Sequence, residues 1–234
     1  MTEALVSGFQ DLSQLTWFQE PPDWEVKDGN LVVRPPSKGD FWRKTYYEPT
    51  LLADHGSFLA ATLPSDHHYT VETEFVLKAK RQFDQAGLIV RMDGEHWLKT
   101  GIEVVDGSPR LACVVTNVYS DWSTQSWSQY DKADSGMSVA ARLRLHCRGA
   151  SFVVEAKCGE DWEFIRIAHL HPGVIYPDDP IPNGTLGPAA PEGKFWVGMF
   201  ACCPEQQDGC EVSFSNFSIL PGSHMEHNAD GNHA

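Results

Sequence analysis

The sequence predicts an all-β sandwich or jelly roll, and three observations lead there. Short runs of β-branched and aromatic residues recur along nearly the whole chain, the composition that fits a pleated, half-buried surface. Gly, Pro, Asp and Asn separate these runs at the spacing of turns. No segment sustains the 3.6-residue apolar period of an amphipathic helix. With 234 residues and 41% hydrophobic content, the chain can bury one sizeable core, and sandwiches of this length are commonly one domain. Residues 1–220 are expected to form it. Residues 221–234, rich in His, Asn, Asp and Gly, read as a flexible C-terminal tail.

Taken in order, the first apolar run is 31–33, and the next covers 69–77. There Val71, Thr73, Phe75 and Leu77 alternate with Glu72 and Glu74, so the two glutamates share the opposite face of a strand. Carboxylates two residues apart stand about 7 Å from each other, near the separation glycosidases use. The simpler reading is the solvated side of an antiparallel sheet. Residues 87–91 form another run, and 97–105 is the most informative stretch in the chain. Its odd positions are Trp97, Lys99, Gly101 and Glu103; its even positions are Leu98, Thr100, Ile102 and Val104. One unbulged strand must therefore send Leu98, Ile102 and Val104 into the core and gather an indole, an ammonium and a carboxylate on the other face. Residues 111–116, 142–147, 152–156 and 164–168 continue the series, with tight turns near Gly149 and Gly159 that make a meander. Residues 171–193 hold many prolines and glycines and few strand formers, which predicts a long surface loop of the kind that often binds or covers a ligand. The runs 195–200 and 212–220 close the series.

Charge and cysteines exclude some functions. A formal net charge of -14 argues against nucleic acid, because a phosphate-tracking surface must be basic, and against an anionic membrane. The first residues lack a basic segment followed by an apolar one, and no apolar run is long enough to span a bilayer; the expectation is a cytoplasmic protein. The cysteines at 113, 147, 158, 202, 203 and 210 form no C-x-x-C pair, so six buried thiols, with no disulfide, metal or cofactor, are expected. His67-His68 and His169-x-His171 do not bring enough further ligands for a metal site. Nucleophile motifs such as G-x-S-x-G, and the P-loop, are missing.

The candidate site gathers around Lys99 and Glu103. A Lys and a Glu four apart on one strand face could be a surface ion pair of little worth. Trp97 on the same face, and the neighbouring Asp84-Gln85 and Asp121-Trp122-Ser123 segments, add the amide, carboxylate, hydroxyl and indole groups that suit a small polar or sugar-like ligand. Trp24, Trp42, Trp127 and Trp196 could extend that wall.

These segments carry a resemblance. Glu20-Pro21-Pro22-x-Trp24, Asp40-Phe41-Trp42-Arg43-x-Thr45, Asp84-Gln85-Ala86-Gly87-Leu88, Trp97-x-Lys99-x-Gly101-x-Glu103, Val115-Thr116 and Ser120-Asp121-Trp122-Ser123 resemble, in order, the blocks of the DUF1349 family across residues 8–220. The resemblance implies a concanavalin A-like jelly roll of two antiparallel sheets with a concave face. It implies that Asp84, Gln85, Lys99, Glu103, Asp121, Trp122 and Ser123 line or support that face. The glucanase relatives' Glu-x-Asp-x-x-Glu strand does not occur in this chain, which counts against ordinary retaining hydrolysis. Three functions follow as expectations. The first is a small-molecule binding or metabolic regulatory protein, carbohydrate being one candidate ligand, with Trp42, Asp84, Gln85, Trp97, Lys99, Glu103, Asp121, Trp122 and Ser123 in contact. The second is a fungal small-molecule enzyme, a lyase, isomerase or cyclase, using Glu103 or Asp121 as general acid or base. The third is a module that binds a protein partner and has no deep pocket.

Overall fold

The computed structural model describes residues 3–133, 136–173, 179–182, 184–205 and 209–222. Among them are eighteen strands and no helix: β1 (Val6–Ser7), β2 (Thr16–Phe18), β3 (Asp23–Lys27), β4 (Asn30–Arg34), β5 (Phe41–Arg43), β6 (Leu52–Asp54), β7 (Ser57–Pro64), β8 (His68–Ala79), β9 (Gln85–Arg91), β10 (His96–Val105), β11 (Ser108–Asn117), β12 (Tyr119–Ser126), β13 (Tyr130–Ala133), β14 (Gly136–Arg148), β15 (Ser151–Cys158), β16 (Asp161–His169), β17 (Lys194–Cys202) and β18 (Glu211–Pro221). No helix of the described residues is long and apolar enough to cross a membrane.

Two antiparallel sheets carry the fold. One runs β16-β15-β14-β8-β18-β4-β3, with β1 beside β18 and β13 beside β14; the other runs β12-β11-β10-β9-β17-β7-β2. This is the jelly-roll sandwich that the turn spacing and the family resemblance predict. Consecutive hairpins β14-β15 and β15-β16 turn at Gly149 (φ 63°) and Gly159 (φ 66°), where the left-handed backbone favours glycine. Between the sheets, Leu88, Leu98, Ile102 and Phe195 from one side meet Val71, Phe75, Leu143 and Phe217 from the other, all fully buried. The parity expected of residues 97–105 holds: Leu98, Ile102 and Val104 are in this core, whereas Trp97 belongs to a second apolar cluster on the sheet's other side. Glu72 sits on the outer face of its sheet, accepting a hydrogen bond from Arg142 at 2.9 Å, as a polar-face reading requires.

The seven-stranded sheet is pinched at its centre. Gly87 and Gly101 are cross-strand partners, and a Cβ on Gly101 would lie 1.9 Å from the carbonyl oxygen of Ala86. Backbone cannot move aside as a side chain can. Gly101→Ala is therefore expected to cost roughly 1–3 kcal/mol, the range of overpacked sites, measured as a lowered midpoint in urea with an unchanged slope; an unchanged midpoint would show that the strands separate freely.

Of the 171–193 segment, the described residues form no strand. They are nevertheless tied down. The backbone N–H of Gly187 donates to Asp54 at 2.7 Å, and that of Ala190 donates to the Met92 carbonyl at 2.7 Å. The tail from 223 onward lies outside the described residues.

Candidate functional site

The outer face of the seven-stranded sheet is assembled by parity. Strand β9 presents Gln85, Ile89 and Arg91; β10 presents Trp97, Lys99 and Glu103; β11 presents Val114, β12 Trp122, and β17 Trp196, Phe200 and Cys202. Over this face folds the two-stranded β5-β6 flap, bracketed at β5 by Lys38 (φ 68°) and Lys44 (φ 62°), whose left-handed backbone turns the chain sharply. Phe41, Trp42 and Ala53 from the flap pack with Phe58, Ile89, Trp97, Val114 and Phe200. Trp97 is consequently 0%, Lys99 4% and Glu103 7% exposed. The concave face expected to present Trp97, Lys99 and Glu103 to a ligand is covered by the flap.

Beneath the flap lies a polar cluster. Asp40 Oδ1 accepts from the Phe41 N–H at 2.7 Å, the Gln85 amide at 3.3 Å and the Lys99 ammonium at 3.1 Å. The same Gln85 amide donates to Glu103 Oε1 at 3.3 Å and the Phe83 carbonyl at 3.1 Å. Burial pushes the Glu103 carboxyl up to about 7, and Asp40 adds to this against the opposing pull of Lys99 and the Trp122 indole. Burial opposes the charge on Lys99, but the Asp40 and Glu103 carboxylates together hold its pKa above the usual value. One ammonium and two carboxylates thus share a dry site, and Glu103 is the carboxyl that gives way by taking a proton. The space beside it, lined by Gln85, Lys99 and Glu103, amounts to about 10 Å³, room for about one water.

Above the cluster the surface opens again. Trp42, Thr45, Tyr46, Tyr47, Tyr119, Ser120, Asp121 and Trp122 line a recess of about 610 Å³. Its rings form a chain: Trp42 to Tyr47 at 5.5 Å, Trp42 to Trp122 at 6.2 Å, and Tyr46 to Tyr47 at 5.5 Å. Tyr46 is 86% exposed. The Trp42 indole N–H donates to the Thr45 carbonyl at 3.0 Å, which fixes the ring. The Tyr47 phenol is raised by burial and then by the Glu103 and Asp40 carboxylates, so the floor of the recess is electrostatically continuous with the buried cluster. The Trp122 indole N–H is buried, and its pull on the Glu103 carboxyl ties the recess to the cluster below.

The structure brings Gln85, Trp97, Lys99 and Glu103 together, with Trp42 and Trp122 above them, and it separates the rest. Asp121 and Ser123 pair across to Val115 and Cys113, core-facing positions, so parity turns their side chains away from Trp122, although Asp121 still borders the aromatic recess. There Arg166 bonds Asp121 at 3.1 Å and Ser123 at 2.8 Å. The convergence of all three segments on one site is thereby corrected: adjacent residues in a strand cannot share a face. Asp84 also leaves the group. Its Oδ2 accepts the N–H groups of Lys80 and Arg81 at 2.8 and 2.9 Å, and it lies with Cys203 and Cys210, all ligand atoms within 4.8 Å of one another. Of the further tryptophans, Trp127 is in the inter-sheet core and Trp24 packs on Trp17. Trp196 lines a separate recess of about 300 Å³ with Trp17 and Phe18. Asp40 was not anticipated as the centre of the cluster. Its only signal was the Asp40-Phe41-Trp42 segment.

Comparison with known proteins gives four findings. The family model described as a protein of unknown function (DUF1349) matches residues 17–221. The chain is 31% identical over 209 residues, 89% of its length and 90% of the relative's, to Regulation of enolase protein 1 of Saccharomyces cerevisiae. Among solved structures, a functionally unknown protein from Saccharomyces cerevisiae superposes with TM-score 0.71 at 29% identity, covering 92% of this chain and 100% of that one. A xyloglucan-locus GH43 protein of Bacteroides ovatus matches with TM-score 0.60 at 14% identity, covering 89% of this chain and 37% of that one; it shares the fold alone.

Proposed function

The chain belongs to the DUF1349 family, and from that premise we propose that it is a binding protein of metabolic regulatory type that takes a small polyhydroxylated ligand, sugar-like in chemistry, in the aromatic recess between the flap and β12. The supporting observation is the recess itself: Trp42, Tyr46, Tyr47 and Trp122 surround about 610 Å³ beside the Tyr119 and Ser120 positions. Sugar rings present apolar faces to aromatic rings and hydroxyls to polar edges. A relative named for the regulation of enolase is consistent with a regulatory role. The Asp121 carboxylate is engaged by Arg166, so among the described residues it is not free to serve as one of the two carboxylates that glycoside hydrolysis uses.

The test is titration of neutral mono- and oligosaccharides by isothermal calorimetry and by tryptophan fluorescence. Trp122→Ala and Tyr46→Ala should each weaken binding by about tenfold, equivalent to about 1.4 kcal/mol. Tyr46→Ala should leave melting unchanged because the ring is solvated. A panel giving no saturable signal would overturn this function.

A second reading rests on Glu103. A carboxyl held at about 7 beside Lys99 is suited to general acid–base work, provided the flap lifts to admit substrate. Turnover lost in Glu103→Gln with binding intact would favour that reading over pure binding.

A further inference from the structure

Strand β17 ends at Cys202, Cys203 follows it, and the two thiols part company. Cys202 packs outward beneath the flap, with Phe41, and Cys203 packs inward with Cys210. Their sulfurs, Cys203 Sγ and Cys210 Sγ, are 3.1 Å apart, and the Cys210 backbone N–H donates to Cys203 Sγ at 3.0 Å. A Cβ on Gly209 would come within 3.2 Å of Cys203 Sγ and 3.3 Å of the Pro35 carbonyl, so glycine is what lets the chain draw Cys210 against Cys203. Asp84 Oδ1 is buried in the same cluster, where the Cys203 thiol is a hydrogen-bonding neighbour of the carboxyl.

We propose that Cys203 and Cys210 are a redox-modifiable dithiol that closes to a disulfide, with Asp84 as its proton acceptor. Zinc fits the sulfurs less well, since two Zn–S bonds of about 2.3 Å at a tetrahedral angle hold sulfurs roughly 3.8 Å apart. In the step, Cys203 passes its proton to Asp84 Oδ1, and the thiolate, stabilised by the Cys210 N–H, attacks one sulfur of a small disulfide of the glutathione class. One small thiolate leaves and takes that proton from Asp84. Cys210 then passes its own proton to the freed Asp84 carboxylate and displaces the second small thiolate from Cys203, which takes up this proton as the bond is completed. Two protein thiols are oxidised by two electrons, and one small disulfide is reduced to two thiols.

The position gives the bond a consequence. Cys203 bridges to Ser37 at the root of the flap, and the Lys38 N–H donates to the Glu205 carbonyl at 3.3 Å. Pro204 and Glu205 line an open cleft of about 740 Å³ together with Lys38, Asp40 and His55, which brings solvent to the residues next to Cys203. A Cys203–Cys210 bond therefore stiffens the anchor of the element that covers Lys99 and Glu103. This inference is independent of what the aromatic recess binds.

The experiment equilibrates the full chain in glutathione buffers of graded reduced-to-oxidised ratio, quenches with acid, alkylates and maps the peptides by mass spectrometry. A 203–210 disulfide should appear as the buffer becomes oxidising, vanish in Cys203→Ser and Cys210→Ser, and persist in Cys113→Ser. Asp84→Asn, which keeps an acceptor for the two N–H bonds, should slow formation about a hundredfold at unchanged final occupancy. Amide exchange over residues 37–56 should slow on oxidation. A pair still fully reduced in oxidised glutathione alone, or stoichiometric zinc that shields both thiols from alkylation, would overturn the proposal; an unchanged rate in Asp84→Asn would remove Asp84 from it.

Discussion

Replacing Asp54 by alanine is expected to destabilise the protein by about 3–5 kcal/mol, the loss found when one partner of a buried ion pair is removed. Asp54, on β6, accepts from both terminal nitrogens of Arg91, at 2.5 and 2.8 Å. Arg91 is 0% exposed, and its guanidinium lies 4.6 Å from the Phe18 ring. Without the carboxylate, a fixed positive charge would remain in an apolar layer, its Nε already lacking a partner. The Gly187 N–H would lose its acceptor as well. The flap, the sheet and the 184–190 segment all meet on this one side chain. For a chain of this size the melting temperature should fall by roughly 6–20 °C. The double replacement Asp54→Leu with Arg91→Met should recover most of the loss, because apolar residues of similar volume fill such sites at little cost. A single-variant loss below about 1 kcal/mol would mean that water already reaches the pair.

The Arg91 pair also marks where sequence reading stops. Strand parity was legible: the alternation in 97–105 places Leu98 in one layer and Glu103 in another with no knowledge of the partners. The same rule, applied inside 121–123, would have kept Trp122 and released Asp121 and Ser123. What covers the Glu103 face was not legible. Strands β5 and β6 have three residues each, too few to show a period, and Asp40 meets Lys99 across 59 positions with no local pattern to announce it. A row of Trp, Lys and Glu reads equally well as a ligand surface or as a layer that another segment buries. Only the burial distinguishes them, and burial is a property of the whole fold.

That burial reverses what a surface Glu103 would do with pH. In the folded chain its carboxyl is raised from 4.5 to about 7, so between these values the folded state binds more protons than the unfolded one. Stability then falls as pH rises. The contribution is most favourable below about 4.5, declines through the window, and is constant above about 7; the span corresponds to at most about 3 kcal/mol. Carboxylates with lowered values act in the opposite sense: Asp179, held at about 2 first by its hydrogen bond from Lys44, supports the fold except at very low pH. The total pH curve mixes both, and a difference curve separates them. Glu103→Gln keeps the hydrogen bond from Gln85 and cannot ionise, so its stability minus that of the parent should rise by about 2–3 kcal/mol from pH 4.5 to pH 7.5 and then level off. At pH 7.5 the variant should match or exceed the parent, since Lys99 keeps Asp40 at 3.1 Å as its counter-charge. Urea denaturation of both proteins across that range measures the difference directly. Parallel curves would place Glu103 in water-like surroundings, and the closed flap would then not describe the protein in solution.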